Sequence, residues 1–358
     1  MKDESSCRSS TKSKMKDEHG LEMNSIAFNS LFSIFNSQLN CVATIGSFDG
    51  VHRGHQCLLR QVRSIADERG MDAVAITFST SPRRVLGMAD APQLSTTEER
   101  TTLLRQMGMD GVELLDFTPQ MAAMTAREFM QQVLKEQLHV SVLVIGYDHR
   151  FGHGRSEGFD DYVRYGREMG IEVVRGEACI DGNEPISSTR IRLLLEAGKV
   201  EEAAHLLGYR YELHGEVVGG YREGRKMGFP TANIRPLNTD KLIPADGVYA
   251  VWVNIVDNEN EDEDENCHPE GNFQFSIFNF QFRKGMLNIG YRPTLNNGQE
   301  RSIEVHILDF EGDLYGKSIA VEFAHRMREE RTFASLDELT EQLEKDKASV
   351  RELLDDME

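Results

Sequence analysis

The sequence predicts an α/β parallel-sheet (Rossmann-like) domain followed by an antiparallel β-barrel domain with a C-terminal helix. Three observations carry this reading. From Val42 to about Val174, strand-like apolar runs alternate with amphipathic helical stretches. Two of those runs end directly in glycine-rich turns, at Gly46–Gly54 and Gly146–Gly154. From Tyr211 the texture changes to short strand-like pieces separated by glycine and proline.

Residues 1–20 are charged, serine-rich and poor in apolar side chains, which predicts a disordered tail over 1–25. Strands are expected at Val42–Gly46, Ala73–Phe78, Gly111–Leu115, Ser141–Gly146 and Ile171–Arg175, with helices starting near His55, Thr96, Thr125 and Gly158. Such sheets bind ligands outside the carboxyl ends of their strands, where both glycine-rich turns fall. Ser187-Ser188-Thr189 is an N-cap run for a helix over Thr189–Glu196, and Val200–Leu207 forms another that ends at Gly208. The domains are therefore expected at 26–207 and 208–358.

In the second domain, strands are expected at His214–Val218, Gly247–Val256, Phe273–Phe282, Met286–Ile289, Arg301–Leu308 and Ser318–Phe323. A final helix starts near Leu336, and Leu336, Leu339, Leu343, Val350 and Leu353 form a stripe expected to face the core. The acidic run DNENEDEDE at 257–265 predicts a solvated loop. With the aromatic FQFSIFNFQF that follows, it makes an insertion at about 257–282.

Composition narrows the function. The chain has 358 residues, enough for two domains, and a net charge of −19. That charge argues against nucleic acid or a membrane surface as partner, since both are anionic. Phosphate chemistry would rely on local cations, such as Arg190 with Arg192 or Arg225-Lys226, and on metal ions. The five cysteines are scattered and never spaced as CxxC, suggesting neither a zinc site nor a disulfide framework and fitting a reduced cytoplasm. No apolar run approaches the roughly 20 residues that span a bilayer. Oligomeric state is left open.

Three segments of the first domain carry chemistry. The first is Thr44-Ile45-Gly46-Ser47-Phe48-Asp49-Gly50-Val51-His52-Arg53-Gly54-His55. Glycine lets backbone approach phosphate oxygens, and the following helix offers open N–H groups and a positive dipole end. His52 and His55 are placed to aim imidazoles at the same anion. The second, from Val144 to Arg155, is again a strand running into a glycine-rich loop, here with Asp148 and His149. The third is Ile186-Ser187-Ser188-Thr189-Arg190-Ile191-Arg192, with hydroxyls at a helix start and an arginine one turn later. In the second domain, Gly224-Arg225-Lys226-Met227-Gly228-Phe229-Pro230-Thr231-Ala232-Asn233 suits a phosphate-covering loop. Thr231 and Asn233 alternate on one strand face and offer hard oxygen ligands.

The first segment resembles the HxGH signature of the nucleotidylyltransferase superfamily, in the FDGVHxGH form of bacterial FAD synthetases. The third is similar to the SSTxxR element of the same superfamily. The second-domain segment resembles the GRxLGFPTAN motif of riboflavin kinases, with Met227 where leucine is usual. Asn288-Ile289-Gly290-Tyr291-Arg292-Pro293-Thr294 is similar to their NIGxRPT loop, and Asp313–Gly316 and Arg328–Phe333 continue the likeness. His149 stands where phenylalanine is frequent. The resemblance covers about residues 40–346 and is to the prokaryotic bifunctional riboflavin kinase/FAD synthetases.

The resemblance implies phosphorylation of riboflavin to FMN and adenylylation of FMN to FAD, with ATP as co-substrate and Mg²⁺ as cofactor. It implies catalytic roles for His52, His55 and Glu304. Gly46, Phe48, Asp49, Gly50, Gly54, Asp148, Ser187, Ser188, Thr189 and Arg192 would hold ATP in the first domain. Gly224, Arg225, Gly228, Thr231 and Asn233 would hold ATP and metal in the second. Arg292, Arg328 and Glu330 would meet the flavin. An alternative has one domain active and the other a flavin-binding or regulatory module.

Overall fold

The computed structural model describes residues 40–89, 91–182, 184–220, 224, 227–256, 282–293 and 299–357. The tail over 1–25, Arg225, and the 257–282 insertion up to residue 281 lie outside the described residues. So does the strand expected at Phe273–Phe282, apart from Phe282.

The N-terminal part is built as β1 (Cys41–Ile45), α1 (Arg53–Arg69), β2 (Asp72–Phe78), α2 (Pro82–Val85), α3 (Thr97–Gln106), β3 (Gly111–Leu115), α4 (Pro119–Ala123) and α5 (Ala126–Phe129). A π-helical run over Met130–Gln137 prolongs α5, then come β4 (Val140–Ile145), α6 (Phe159–Met169), β5 (Glu172–Arg175), and a small hairpin of β6 (Ile180–Asp181) and β7 (Glu184–Pro185). Two helices close this part, α7 (Ser188–Glu196) and α8 (Val200–Leu207). The five larger strands form a parallel sheet in the order β3-β2-β1-β4-β5, as the alternating pattern predicts. The strands read as near-continuous apolar runs because both faces are covered. Val42, Ala73, Ala75 and Val142 pack under Leu58, Leu59 and Val62 of α1, while Ala43, Val74, Ile76 and Leu143 pack under Met130, Val133 and Leu134.

Helix ends follow local chemistry. Thr96 and Thr125 open α3 and α5 with reciprocal capping boxes to Glu99 and Glu128. Gly70, Gly170 and Gly208 close α1, α6 and α8 in the left-handed region, where a Cβ is disfavoured.

The C-terminal part has β8 (Glu212–Val218), β9 (Ala232–Pro236), β10 (Gly247–Val256), β11 (Arg283–Pro293), β12 (Gln299–Ile307), β13 (Ser318–Arg328) and α9 (Leu336–Asp355). These strands close an antiparallel barrel in the order β10-β11-β12-β9-β8-β13. Strand alternation sends Val217, Tyr249, Val251, Leu287, Ile303, Val305 and Phe323 inward, where they share one core with Ile191 and Leu195 of α7 and Val200 and Leu206 of α8. The last two helices of the N-terminal part thus pack on the core of the barrel. On the outside, Val350 and Leu354 of α9 pack on Val248, Ala250, Trp252 and Met286.

The stripe expected on α9 needs correction. Leu336 is 70% exposed, whereas Leu354 and, unexpectedly, Asp346 are buried. Asp346 is tolerated inside because Arg328 Nη2 and Nε donate to its Oδ2 at 2.7 and 3.0 Å. The first turn of α9 runs past the barrel wall, so periodicity marked a face that only the later turns bury.

A buried ion pair joins the two parts. Glu99 of α3 and Lys241, between β9 and β10, are 9% and 7% exposed and in direct contact. Leu242 N–H donates to Gln93 O and Gln93 N–H to Asp240 O, at 2.8 and 2.7 Å. Lys241→Met leaves Glu99 buried and uncompensated, and should lower stability by about 3–5 kcal/mol. The Glu99→Gln/Lys241→Met double variant keeps the helix cap and removes both charges, so it should recover most of that loss. Urea denaturation of the three proteins checks this; equal losses in single and double variants would assign the effect to packing instead.

Candidate active sites

The first site lies at the carboxyl ends of β1 and β4. These are neighbours, yet the chain leaves them in opposite directions across the sheet. Such a switch point opens a crevice for ligands. Both glycine-rich turns end there.

The loop from Gly46 to His52 bends in ways ordinary residues resist. Phe48, Gly50 and Val51 all have positive φ, at 48°, 78° and 34°. For Phe and Val this is strained backbone, sustained here by the surroundings. A Cβ on Gly50 would lie 3.0 Å from Leu94, and one on Gly46 would lie 3.1 Å from the Phe48 ring. The carbonyls from Ser47 to Val51 are turned onto protein donors. Thr77 Oγ1 serves Ser47 O, Val51 N serves Phe48 O, and Ser188 Oγ serves Asp49 O. Tyr209 Oη serves Gly50 O and Gln56 Nε2 serves Val51 O. With carbonyls engaged in the protein, the loop presents an anion with N–H groups rather than repelling oxygens. The N–H groups of Arg53 and Gly54, in the first turn of α1, have no intrahelical acceptor by construction.

His52 is the N-cap of α1, and its Nδ1 accepts from His55 N–H at 3.3 Å. The helix therefore starts at Arg53, two residues before the expected His55. A neutral imidazole whose Nδ1 accepts carries its proton on Nε2. The His52 and His55 rings stack at 3.7 Å between centroids, and Phe48 meets His55 edge-on at 5.2 Å. Burial, helped by Arg192, pushes the pKa of His52 down to about 4. Burial also holds His55 well below its ordinary value, with His52 and His149 adding to the effect. Both imidazoles are therefore neutral near pH 7 in the unliganded protein, not standing cations. Among the described residues, His55 Nδ1 and His149 Nε2 are buried without a hydrogen-bond partner.

Asp49 organises the rest. Its carboxylate accepts from Leu94 N, Ser95 N and Ser95 Oγ, and pairs with Arg192. Arg192 Nε also donates to Pro92 O at 2.7 Å. Ser187 caps α7, accepting from Arg190 N, while Thr189 is exposed on its first turn. Helix α7 thus begins at Ser188, one residue before the expected start. Gly54 brings the first and third segments together, since a Cβ there would lie 3.2 Å from Ile186 O. Asp148 and His149 line an adjoining cleft of about 280 Å³ with Tyr147 and Arg175. The Arg175 guanidinium sits 5.8 Å from the Tyr147 ring and 5.0 Å from that of Phe159. Ser95, Tyr209, Gln56 and Arg175 had no motif to announce them. Each acts through a contact made far along the chain.

The second site sits on the outer face of the barrel. Ile303 and Val305 point inward, so Glu304 points outward. In the β12–β9 ladder Glu304 is opposite Asn233, and in β11–β12 it is opposite Asn288. Thr231 Oγ1 donates to Glu304 Oε2 at 3.1 Å. A Cβ on Gly220 would lie 2.0 Å from Asn233 Nδ2, so only glycine admits the amide there. Gly224 O accepts from Met227 N and Phe229 N, and Gly228 turns the chain at φ 80°. His306 Nδ1–H donates to Pro230 O at 2.8 Å and fixes this turn from beneath. A cleft of about 90 Å³ beside Thr231 is lined by Phe310, Asp313, Leu314 and Tyr315. Arg292 lies on β11 near the edge of the described residues, Thr294 lies outside them, and Glu330 lies against Gly290. Arg328 is held by Asp346.

A family model described as FAD synthetase matches residues 34–190, and one described as riboflavin kinase matches residues 207–354. The bifunctional riboflavin kinase/FMN adenylyltransferase of Escherichia coli (strain K12) is 36% identical over 316 residues, covering 88% of this chain and 93% of that protein. Its Haemophilus influenzae counterpart is 37% identical over 308 residues, covering 86% and 92%. A crystal structure described as a macrolide-efflux protein from Streptococcus pneumoniae superposes with a TM-score of 0.75 at 33% identity, covering 88% of this chain and 94% of that one. Among the described residues, no helix here is long and apolar enough to cross a membrane.

The neutral histidines predict a pH dependence. Burial also pushes His149 down to about 4, against 6.5 for an exposed imidazole. Between those values the unfolded chain binds protons that the folded one refuses. The contribution of His52 and His149 is therefore present above pH 6.5 and lost as pH falls toward about 4, each by about 3 kcal/mol at most. Melting temperature should fall across that window, and His149→Phe should flatten the fall. An unaltered slope in the variant would exclude His149 as a source.

Proposed function

The chain belongs to the bifunctional riboflavin kinase/FMN adenylyltransferases, and from that premise we propose how its residues divide two reactions. It phosphorylates riboflavin to FMN with ATP, and adenylylates FMN to FAD with release of pyrophosphate. The observation that carries the division is that two phosphate-handling clusters occupy separate elements. His52, His55, Ser188 and Arg192 surround the switch point of the sheet, and Glu304, Thr231 and Asn233 lie on the barrel wall. We take 26–207 as the adenylyltransferase domain and 208–358 as the kinase domain, working in the cytoplasm.

In adenylylation the FMN phosphate attacks the α-phosphorus of ATP in line, and positioning with charge stabilisation supplies the catalysis. His52 donates its Nε2–H to a phosphate oxygen, because Nδ1 is already occupied. Charge build-up on the leaving pyrophosphate raises the pKa of both imidazoles, so they gain positive character where it stabilises the transition state. Arg192, steadied by Asp49, offers its remaining N–H groups to the β and γ oxygens. In the kinase, Glu304 accepts the proton of the ribityl primary hydroxyl as that oxygen attacks the γ-phosphorus, the bond to the β–γ bridging oxygen breaks and ADP leaves. Thr231 orients the carboxylate through its hydrogen bond. The Thr231 hydroxyl and the Asn233 amide oxygen are hard-oxygen ligands that fit Mg²⁺, which when bound would neutralise phosphate charge.

The His52→Ala/His55→Ala variant should lose FAD formation by a factor of about 10²–10³ while FMN formation stays near normal. Glu304→Gln should show the reverse, with FMN synthesis down by about 10²–10⁴ and adenylylation of supplied FMN intact. Chromatography of the flavins formed from riboflavin, and separately from supplied FMN, with ATP and Mg²⁺ reads both. Equal loss of both activities in either folded variant would defeat the two-site assignment. FMN accumulating without FAD in the unaltered protein would favour a single active domain.

A further inference from the structure

The scattered cysteine spacing gave no sign of a pair, yet the fold brings two together. Cys57 and Cys179 are 122 residues apart in sequence, with Cα atoms 6.2 Å apart and their sulfurs in direct contact. That Cα separation falls within the range that disulfides span. Cys57 lies on α1, two residues after His55. Cys179 lies between β5 and β6, just ahead of the segment that enters α7. We propose that Cys57 and Cys179 are a reversible thiol–disulfide modification site that fixes the spacing between the histidine-bearing helix and the Ser187–Arg192 element.

The surroundings favour exchange. Arg60 Nη2 lies 3.2 Å from Cys57 Sγ, and a guanidinium there stabilises the thiolate that initiates it. Both cysteines line a surface cleft of about 330 Å³ with Arg60, Gln61, Ser64 and Glu177, open to a small disulfide reagent. Cys41, by contrast, is buried, and its thiol is pushed up to about 12, which leaves it inert.

The link reaches the site through short, braced paths. Glu177 N–H donates to Gln61 Oε1 at 2.9 Å and Gly176 N–H to Ile145 O at 2.8 Å, holding the Cys179 loop along α1. Past Cys179, Asp181 grips Arg190 of α7 and His205 of α8, each at 3.1 Å. Ile186 then meets Gly54 at the start of α1. A bond between the sulfurs therefore restrains both phosphate-holding elements and no part of the Glu304 cluster.

The chemistry closes with a low-molecular-weight disulfide such as oxidised glutathione. The Cys57 thiolate attacks one glutathione sulfur and expels a glutathione thiolate, leaving a mixed disulfide. The Cys179 thiolate attacks Cys57 Sγ, forms the protein disulfide and expels the second. Two protein thiols lose two protons and two electrons, and the oxidant becomes two thiols.

The functional consequence rests on the adenylyltransferase reading. The full chain would be equilibrated with oxidised glutathione or with dithiothreitol and then digested, melted and assayed. Oxidation should yield a linked Cys57–Cys179 peptide, a higher melting temperature and a several-fold lower ATP KM for FAD formation, with FMN formation unchanged. Cys57→Ser and Cys179→Ser should each stay at the reduced values under both conditions. Absence of the linked peptide after oxidation overturns the modification site. A linked peptide with unchanged ATP KM overturns its link to the phosphate elements. Reduced protein that makes FMN but no FAD would instead defeat the adenylyltransferase reading, while the peptide and melting data still test the cysteines.

Discussion

The first site depends on where one buried carboxylate places its neighbours. Asp49 accepts from Leu94 N, Ser95 N and Ser95 Oγ, balances its charge on Arg192, and through its own carbonyl receives Ser188 Oγ. Three stretches of chain meet there: the loop after β1, the 92–95 segment, and the first turns of α7 with Ser188 and Arg192. A carboxylate this enclosed, 8% exposed, is tolerable because donors surround it and a cation opposes it. Remove it, and Arg192 loses its anchor while the loop loses the contacts that sustain positive φ at Phe48 and Val51. The arginine and the hydroxyl that the sequence marks for phosphate are thus set in position by a residue that itself makes no outward contact.

The same segment carries the site toward the barrel. Ser95 leads to Thr96, Thr96 and Glu99 cap α3 reciprocally, and Glu99 pairs with Lys241. Leu94 enters the core that α7 and α8 share with the barrel strands. The two halves therefore share an apolar core and a buried ion pair at one junction. Their chemistry stays apart, because the Glu304 cluster uses outward-facing positions of β12 and β9 whereas the shared core uses the inward ones. Strand alternation alone separates the packed positions of the barrel wall from those of the Glu304 cluster.

Charge in the first site is conditional. Its histidines are neutral because burial opposes their protonation, so a triphosphate bound as proposed would meet N–H donors and a helix terminus before it met imidazolium. A standing cluster of cations would bind pyrophosphate as firmly as the transition state. Imidazoles that gain charge only as phosphate charge grows favour the transition state and release product more readily.

Much of this was legible in the sequence. Alternating apolar runs gave the parallel sheet, and glycine, proline and period-two spacing gave the barrel, because local periodicity reports which faces are buried. The HxGH and GFPTAN segments were visible because close backbone approach at Gly54 and positive φ at Gly228 call for glycine, and SSTxxR because its hydroxyls suit a helix start. The sequence put Thr231 and Asn233 on one strand face and Glu304 on another strand, and the β9–β12 register that brings them together came from the fold. Tertiary structure decided the rest. That Asp49 clamps Arg192, that His52 and His55 are neutral, that Arg328 is bound to Asp346, and that Leu336 is exposed while Asp346 is buried are facts about environment. So is the meeting of Cys57 with Cys179 across 122 residues. A sequence records which groups are present and their local spacing. Desolvation and long-range partners come into being only when distant segments pack, and those two effects decide which groups are charged, which are paired and which are left for substrate.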